Sequence, residues 1–197
     1  MLTVVGMGPA GLQWLIPAAR EAIAAAEALV GGSRHLQQFP DFAGERFALG
    51  ADMPALLAWI EARTGRRVVV LASGDPLFYG IGTRLIAHFG RERVQVIPGI
   101  SAVQYLCARA GIDMNDMWLT SSHGRAVSFD ALAAHRKVAM VTDGRCGPRE
   151  IAAQLMARGK GHRWMVIGEN LAMENERIHW LPVSAVEDEY EMNAVVI

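Results

Sequence analysis

Residues able to do chemistry gather in short glycine-bearing segments, each following an apolar run. The first, Gly6-Met7-Gly8-Pro9-Ala10-Gly11, fits GxGxxG directly after a strand-like stretch, the pattern in which glycines let backbone approach a dinucleotide pyrophosphate. Two features weigh against that use. The acidic residue that the pattern expects about 20 positions on, to hold a ribose hydroxyl, is replaced by Gly31-Gly32-Ser33. Pro9 also removes a backbone donor where a phosphate wants one, and the next helical segment begins only near Pro17. A tight turn, a phosphate loop and a loop flanking some other ligand all stay open.

The segment Ala72-Ser73-Gly74-Asp75-Pro76-Leu77-Phe78-Tyr79-Gly80 follows another apolar run. Asp before Pro initiates turns; an acidic group beside two aromatics also suits an amine or ribose held against an apolar face. In Pro98-Gly99-Ile100-Ser101-Ala102, Ser101 is placed to cap a helix, or the helix start is placed to receive a ligand carboxylate. Ser121-Ser122-His123-Gly124-Arg125 and Gly31-Gly32-Ser33-Arg34-His35 each pair a fixed cation with a titratable one, which suits a polycarboxylate or simply a solvated turn.

The elements that position these loops read as alternating strands and helices. Residues 2–6, 28–32, 67–72 and 93–97 are short, rich in β-branched residues and closed by Gly, Ser or Pro. Between them lie helical segments over 17–26, 54–62 and 81–89, the first two with Pro suited to a first turn. Such βαβ units predict a parallel sheet with ligands at its carboxyl end. Past Gly111 a polar, Met-rich stretch precedes further strands near 138–142, 164–168 and 194–197, with 177–183 extended and antiparallel to its neighbours. The expected organisation is an N-terminal α/β domain over 1–111 and a C-terminal mixed-sheet α/β domain over 112–197.

Composition narrows the function. The 197 residues carry 19 basic and 20 acidic side chains, a net charge of −1 that offers no footprint for nucleic acid. Hydrophobic residues make up 52%, yet no uncharged apolar run reaches the roughly 18 residues of a membrane span. The N-terminal residues read as a strand and not as a secretory leader, so the cytoplasm is the expected address. Cys107 and Cys146 lack ligand or disulfide spacing.

Taken in order, Val5-Gly6-Met7-Gly8-Pro9, Gly31-Gly32-Ser33-Arg34-His35-Leu36, Ser73-Gly74-Asp75-Pro76, Pro98-Gly99-Ile100-Ser101-Ala102, Ser122-His123-Gly124-Arg125 and Gly168-Glu169-Asn170-Leu171 resemble the tetrapyrrole methylase family, and within it the type acting on cobalt-precorrin-7 or precorrin-6Y. The resemblance implies two α/β lobes with S-adenosylmethionine bound in the cleft between them, no protein-bound metal, and a homodimer. It implies methylation of ring carbon 5 of a precorrin in corrin (vitamin B12) biosynthesis. By position, Pro9, Gly74, Asp75, Phe78, Ser101 and Ala102 would contact the donor, joined in the second lobe by Thr142, Asp143, Glu169, Asn170 and Asn193. Arg34, Ser122, His123 and Arg125 would face the tetrapyrrole, with His123 and Arg125 nearest the chemistry. Ala10 and Ala102 stand where the family often has glycine and serine. Two rival readings are an NADP-binding oxidoreductase using the first loop and a non-catalytic tetrapyrrole-binding module. In the latter the chain would be half of a two-part enzyme whose partner domain or subunit, of CbiT type, methylates at C15 and decarboxylates.

Overall fold

The computed structural model describes residues 1–197, which divide into two compact units, Met1–Ser101 and Ala102–Ile197. The first unit is a wholly parallel five-stranded sheet in the order β3-β2-β4-β1-β5. Its strands are β1 (Leu2–Gly6), β2 (Ala28–Gly31), β3 (Glu45–Ala48), β4 (Val68–Ala72) and β5 (Val94–Ile97). The crossovers supply helices α1 (Pro17–Ala24), α2 (Ser33–Leu36), α3 (Met53–Glu61) and α4 (Gly82–Phe89). Because successive strand residues point to opposite faces, Val4, Val30, Val68 and Val70 meet Leu56 and Ile60 of α3 and Leu85 and Phe89 of α4. Val5, Leu29, Val69 and Leu71 turn the other way, onto Ala19 and Ile23 of α1 and Leu36 of α2. Burial on both faces explains why these strands read as unbroken apolar runs. Helix starts follow sequence rules: the Asp52 side chain accepts the Ala55 amide at 2.9 Å, with Pro54 in the first turn of α3.

The second unit has strand order β6-β7-β10-β8-β9: β6 (Trp118–Ser121), β7 (Val138–Val141), β8 (Trp164–Glu169), β9 (Arg177–Pro182) and β10 (Asn193–Val196). Only β6 and β7 pair in parallel; β10 runs antiparallel to β7 and β8, and β9 antiparallel to β8. One face packs on α6 (Phe129–Ala134) and α7 (Pro148–Met156) through Leu132, Ile151, Leu155, Met140, Met165, Ile167 and Val195. Helix α5 (Ala102–Ala110) packs on β10 and β7.

The unit boundary therefore falls one helix earlier than the expected Gly111. Helix α5 buries Val103, Leu106 and Cys107, and Gly168 of β8 leaves room for Leu106, whose Cδ1 would lie 2.8 Å from an added Cβ. The edge strands β3 and β6 lie outside the strands expected from the sequence. No helix is long and apolar enough to cross a membrane.

Candidate active site

In the first unit every strand is parallel, so the ends of β1, β2, β4 and β5 emerge at one edge of the sheet. The loops after β1 and β4 pair through a single bridge, with Gly8 N donating to Gly74 O (3.2 Å) and Gly74 N to Gly8 O (3.1 Å). Gly8 and Gly74 have φ of 67° and 60°, the left-handed region that glycine enters without steric penalty. Gly99, after β5, packs backbone to backbone against both neighbours. A Cβ there would lie 2.3 Å from Gly74 O and 2.8 Å from Gly6 Cα. Three loops that are far apart in sequence thus form one surface of interlocked main chain.

Asp75 fastens this surface. Its Oδ1 accepts the Leu77 amide at 2.8 Å and its Oδ2 the Gly99 amide at 3.1 Å, tying the loop after β4 to the loop after β5. Phe78 is half-buried and meets Tyr79 edge-on, with centroids 5.2 Å apart; Tyr79 takes φ of 54°, a strained conformation for an aromatic residue. Pro9 is half-buried and Ser101 is buried. Of the Arg34/His35 pair, Arg34 is exposed and His35 is buried. The His35 Nε2 lies 3.4 Å from Ser73 Oγ. Burial, and secondarily the charge of Arg34, push the His35 imidazole below its ordinary pKa.

The geometry of the first loop departs from a dinucleotide site. Between Gly11 and α1 lie a 3-10 turn, Leu12–Trp14, and an extended residue, Ile16, so the α1 N-terminus that would receive a pyrophosphate starts well beyond the glycines.

In the second unit the strand directions bring the carboxyl ends of β6, β7 and β8 together with the amino ends of β9 and β10. Asn193 stands opposite Glu169 in the β10–β8 ladder. The Thr142 hydroxyl donates to Asn193 O at 2.9 Å and also to Asn193 Oδ1. Asp143 accepts the amides of Gly124 (3.1 Å), Arg145 (3.0 Å) and Cys146 (3.0 Å), binding its turn to the Ser122–Arg125 loop. Those amides, Gly124 and Cys146 foremost, hold the Asp143 carboxyl below its usual range. Ser122 is buried and donates to Cys146 O at 2.8 Å, whereas His123 and Arg125 are exposed on a turn made possible by Gly124 at φ 67°.

Glu169 is 6% exposed, and its carboxylate is enclosed by His179 Nε2 (2.7 Å) and the Glu191 amide (2.8 Å). Asn170, at φ 48°, donates its amide N–H to Met192 O (3.0 Å) and its side-chain amide to the Glu191 carboxylate (2.7 Å). The structure thus collects the expected residues at strand ends within each unit, and it shows several of them bracing loops with the side chains expected to meet a ligand. Sequence reasoning missed the residues completing these braces, His179 and Glu191. His179 reaches Glu169 only through β8–β9 register, and no sequence spacing signals it.

Residues 1–186 match the family model of Tetrapyrrole (Corrin/Porphyrin) Methylases. A cobalt-precorrin-7 C(5)-methyltransferase of Salmonella typhimurium is 79% identical over 197 residues, which span 100% of this chain and 98% of that one. The solved precorrin-6Y methylase of Archaeoglobus fulgidus superposes with a TM-score of 0.77 at 25% identity, covering 100% of this chain and 97% of that chain. A uroporphyrin-III C-methyltransferase of Thermus thermophilus, solved in complex with S-adenyl homocysteine, shares the fold, with a TM-score of 0.79 and 18% identity over 99% of this chain and 90% of that chain. By family match and whole-length identity together, the chain belongs to the tetrapyrrole (corrin/porphyrin) methylases.

Proposed function

We propose that the chain is an S-adenosylmethionine-dependent C-methyltransferase of corrin-ring (cobalamin) biosynthesis that methylates C5 of precorrin-7 or cobalt-precorrin-7, giving precorrin-8 or cobalt-precorrin-8. The observation that carries this reading is the 79% identity, over 100% of this chain and 98% of the relative, to the Salmonella enzyme of that name. The residues present suit the donor. The loop ends of the first unit are packed main chain that any Cβ at Gly6 or Gly99 would disrupt, presenting peptide groups to a ribose and an amino-acid carboxylate. Pro9 and Phe78, both half-buried, offer apolar surface to a base.

Bound in this way, the donor supplies an electrophilic methyl group on a sulfonium, so the chain's work is binding and alignment. Gly74, Asp75, Phe78, Ser101 and Ala102, with Pro9, hold the donor. Thr142, Asp143, Glu169, Asn170 and Asn193 shape the strand ends of the second unit for the same ligand. Arg34 and Arg125 pair with substrate acetate or propionate groups, as guanidinium forks do with carboxylates, and Ser122 stiffens the turn that presents His123. His123 orients the macrocycle or takes the proton released when the ring carbon is methylated. Fixing two reactants in line supplies on the order of 7–11 kcal/mol of rate enhancement. The active species is a homodimer, and a separate C15-methylating, decarboxylating domain or subunit acts elsewhere on the ring.

Calorimetric titration of the purified chain with S-adenosylhomocysteine, beside NADPH and beside Asp75→Ala, tests the reading. Saturable binding of S-adenosylhomocysteine, weakened about tenfold or more in the variant, with no heat from NADPH, is the expected result. Binding of NADPH alone would overturn it in favour of a dinucleotide site. Binding of both S-adenosylhomocysteine and a tetrapyrrole without methyl transfer would leave a carrier. Sedimentation of the protein as a monomer would remove the dimer.

A further inference from the structure

Outside the residues assigned to ligands, one carboxylate gathers more partners than its place in the sequence suggests. Glu176 precedes β9 in the stretch Met173-Glu174-Asn175-Glu176-Arg177, where two acids and an arginine read as a solvated turn. In the structure its side chain is only 14% exposed. Its Oε2 accepts both the Tyr105 hydroxyl (2.8 Å) and the Ala172 amide (2.7 Å), and its Oε1 accepts Arg109 Nε (2.8 Å). Tyr105 and Arg109 lie one turn apart on α5, so both project from one side of that helix. Ala172 lies in the β8–β9 turn, two residues beyond Asn170.

That turn needs holding. Asn170 and Ala172 have φ of 48° and 63°, conformations that side-chain-bearing residues leave readily unless the surroundings fix them. Leu171 between them is buried against Gly168. The Glu176 carboxylate fastens the second strained residue directly and docks the turn on α5, whose first residue is Ala102. Burial alone would raise the carboxyl pKa, but the Ala172 amide, the Tyr105 hydroxyl and Arg109 outweigh it and keep the group ionised.

We infer that Glu176 is a positioning residue of the methyl-donor site, setting Asn170 at the end of β8 relative to Ala102 at the start of α5. The inference rests on the proposed donor contacts of those two residues. With both oxygens engaged by protein donors, Glu176 acts through the segments it holds and not on the reacting atoms.

The test is S-adenosylhomocysteine affinity by calorimetry, with KM and kcat for methyl transfer and melting curves for every protein. Glu176→Ala is expected to weaken binding about tenfold or more and to raise the KM for the donor, with the KM for the tetrapyrrole unchanged. Glu176→Gln keeps one acceptor oxygen and falls between, Tyr105→Phe weakens binding about threefold for the loss of one bond, and Glu174→Gln, two residues away and exposed, binds as wild type. If wild type itself fails to bind, the proposed function falls. If wild type binds and the Glu176 variants lose melting temperature while keeping its affinity, the inference falls and Glu176 is merely structural. Should Glu176→Ala not fold, Glu176→Gln and Tyr105→Phe decide by the same criterion.

Discussion

Both carboxylate oxygens of Asp75 accept backbone amides, one from its own turn and one from the loop after β5. A carboxylate has about four lone-pair positions, so this bracing leaves Asp75 lone pairs for the ligand donor that its proposed role requires. His35 illustrates a second use of a residue at this edge. It is buried beside Ser73 with its pKa lowered, so the folded protein takes up its proton less readily than the unfolded chain does. Unfolding therefore binds protons in the window between the lowered pKa and the ordinary value near 6.5, and stability must fall as pH drops through that window. Above about pH 6.5 the imidazole contributes no such dependence. Urea titrations of wild type and His35→Gln from neutral pH downward are expected to show wild type losing stability more steeply; parallel curves would refute the assignment.

Among the elements, the strands with clear apolar runs were legible, and the edge strands β3 and β6 were not. β1, β2 and β4 lie within a residue of the boundaries read from their apolar runs, because burial on both sides demands continuous Val, Leu and Ile, and the edge strand β5 matches as closely through Val94, Val96 and Ile97. The strand β3, Glu-Arg-Phe-Ala, is largely exposed and has no such run, while β6 lies within the polar, Met-rich stretch that reads as preceding the second set of strands. The candidate loops were legible because glycine, proline and aspartate mark strand ends. Their bracing was not, since Asp75 to Gly99 or Glu169 to His179 are contacts set by sheet order and register. The placement of α5 was missed for a related reason: its partner surface depends on Gly168, whose meaning appears only when Leu106 and Leu171 lie over it. Gly168→Ala would put a Cβ 2.6 Å from Leu171 Cδ2 and 2.8 Å from Leu106 Cδ1. Overpacking of this kind costs about 1–3 kcal/mol, which chemical denaturation should resolve, and an unperturbed midpoint would mean that the two leucines rotate aside freely.

For the whole molecule, the parallel sheet separates chemistry from support. The candidate residues of the first unit emerge at the carboxyl ends of its strands, as ligands do in open α/β sheets, and the start of its sheet is occupied by structural arginines. Arg63 donates to Glu45 Oε2 at 2.9 Å and to Trp59 O at 2.9 Å, and its guanidinium lies 3.6 Å from the Trp59 ring. Arg63→Ala is expected to lower stability slightly, through the lost cation–π contact with Trp59 and a solvent-screened ion pair, while leaving S-adenosylhomocysteine affinity unchanged. A variant that folds normally but binds poorly would show that the two ends are not independent.

The hydrogen bond from Gly99 to Asp75 has a consequence in time as well as in space. The amide hydrogens of Gly99 and Leu77 belong to surface loops, yet neither can reach solvent until the aspartate releases it, so their exchange with deuterium reports opening of that fastening and not ordinary loop motion. Both are expected to exchange more slowly than other loop amides and to speed up together in Asp75→Ala. A ligand that binds only the fastened form would slow them further, by a factor of one plus the ratio of free ligand concentration to Kd, giving two backbone hydrogens that keep the clock for the site.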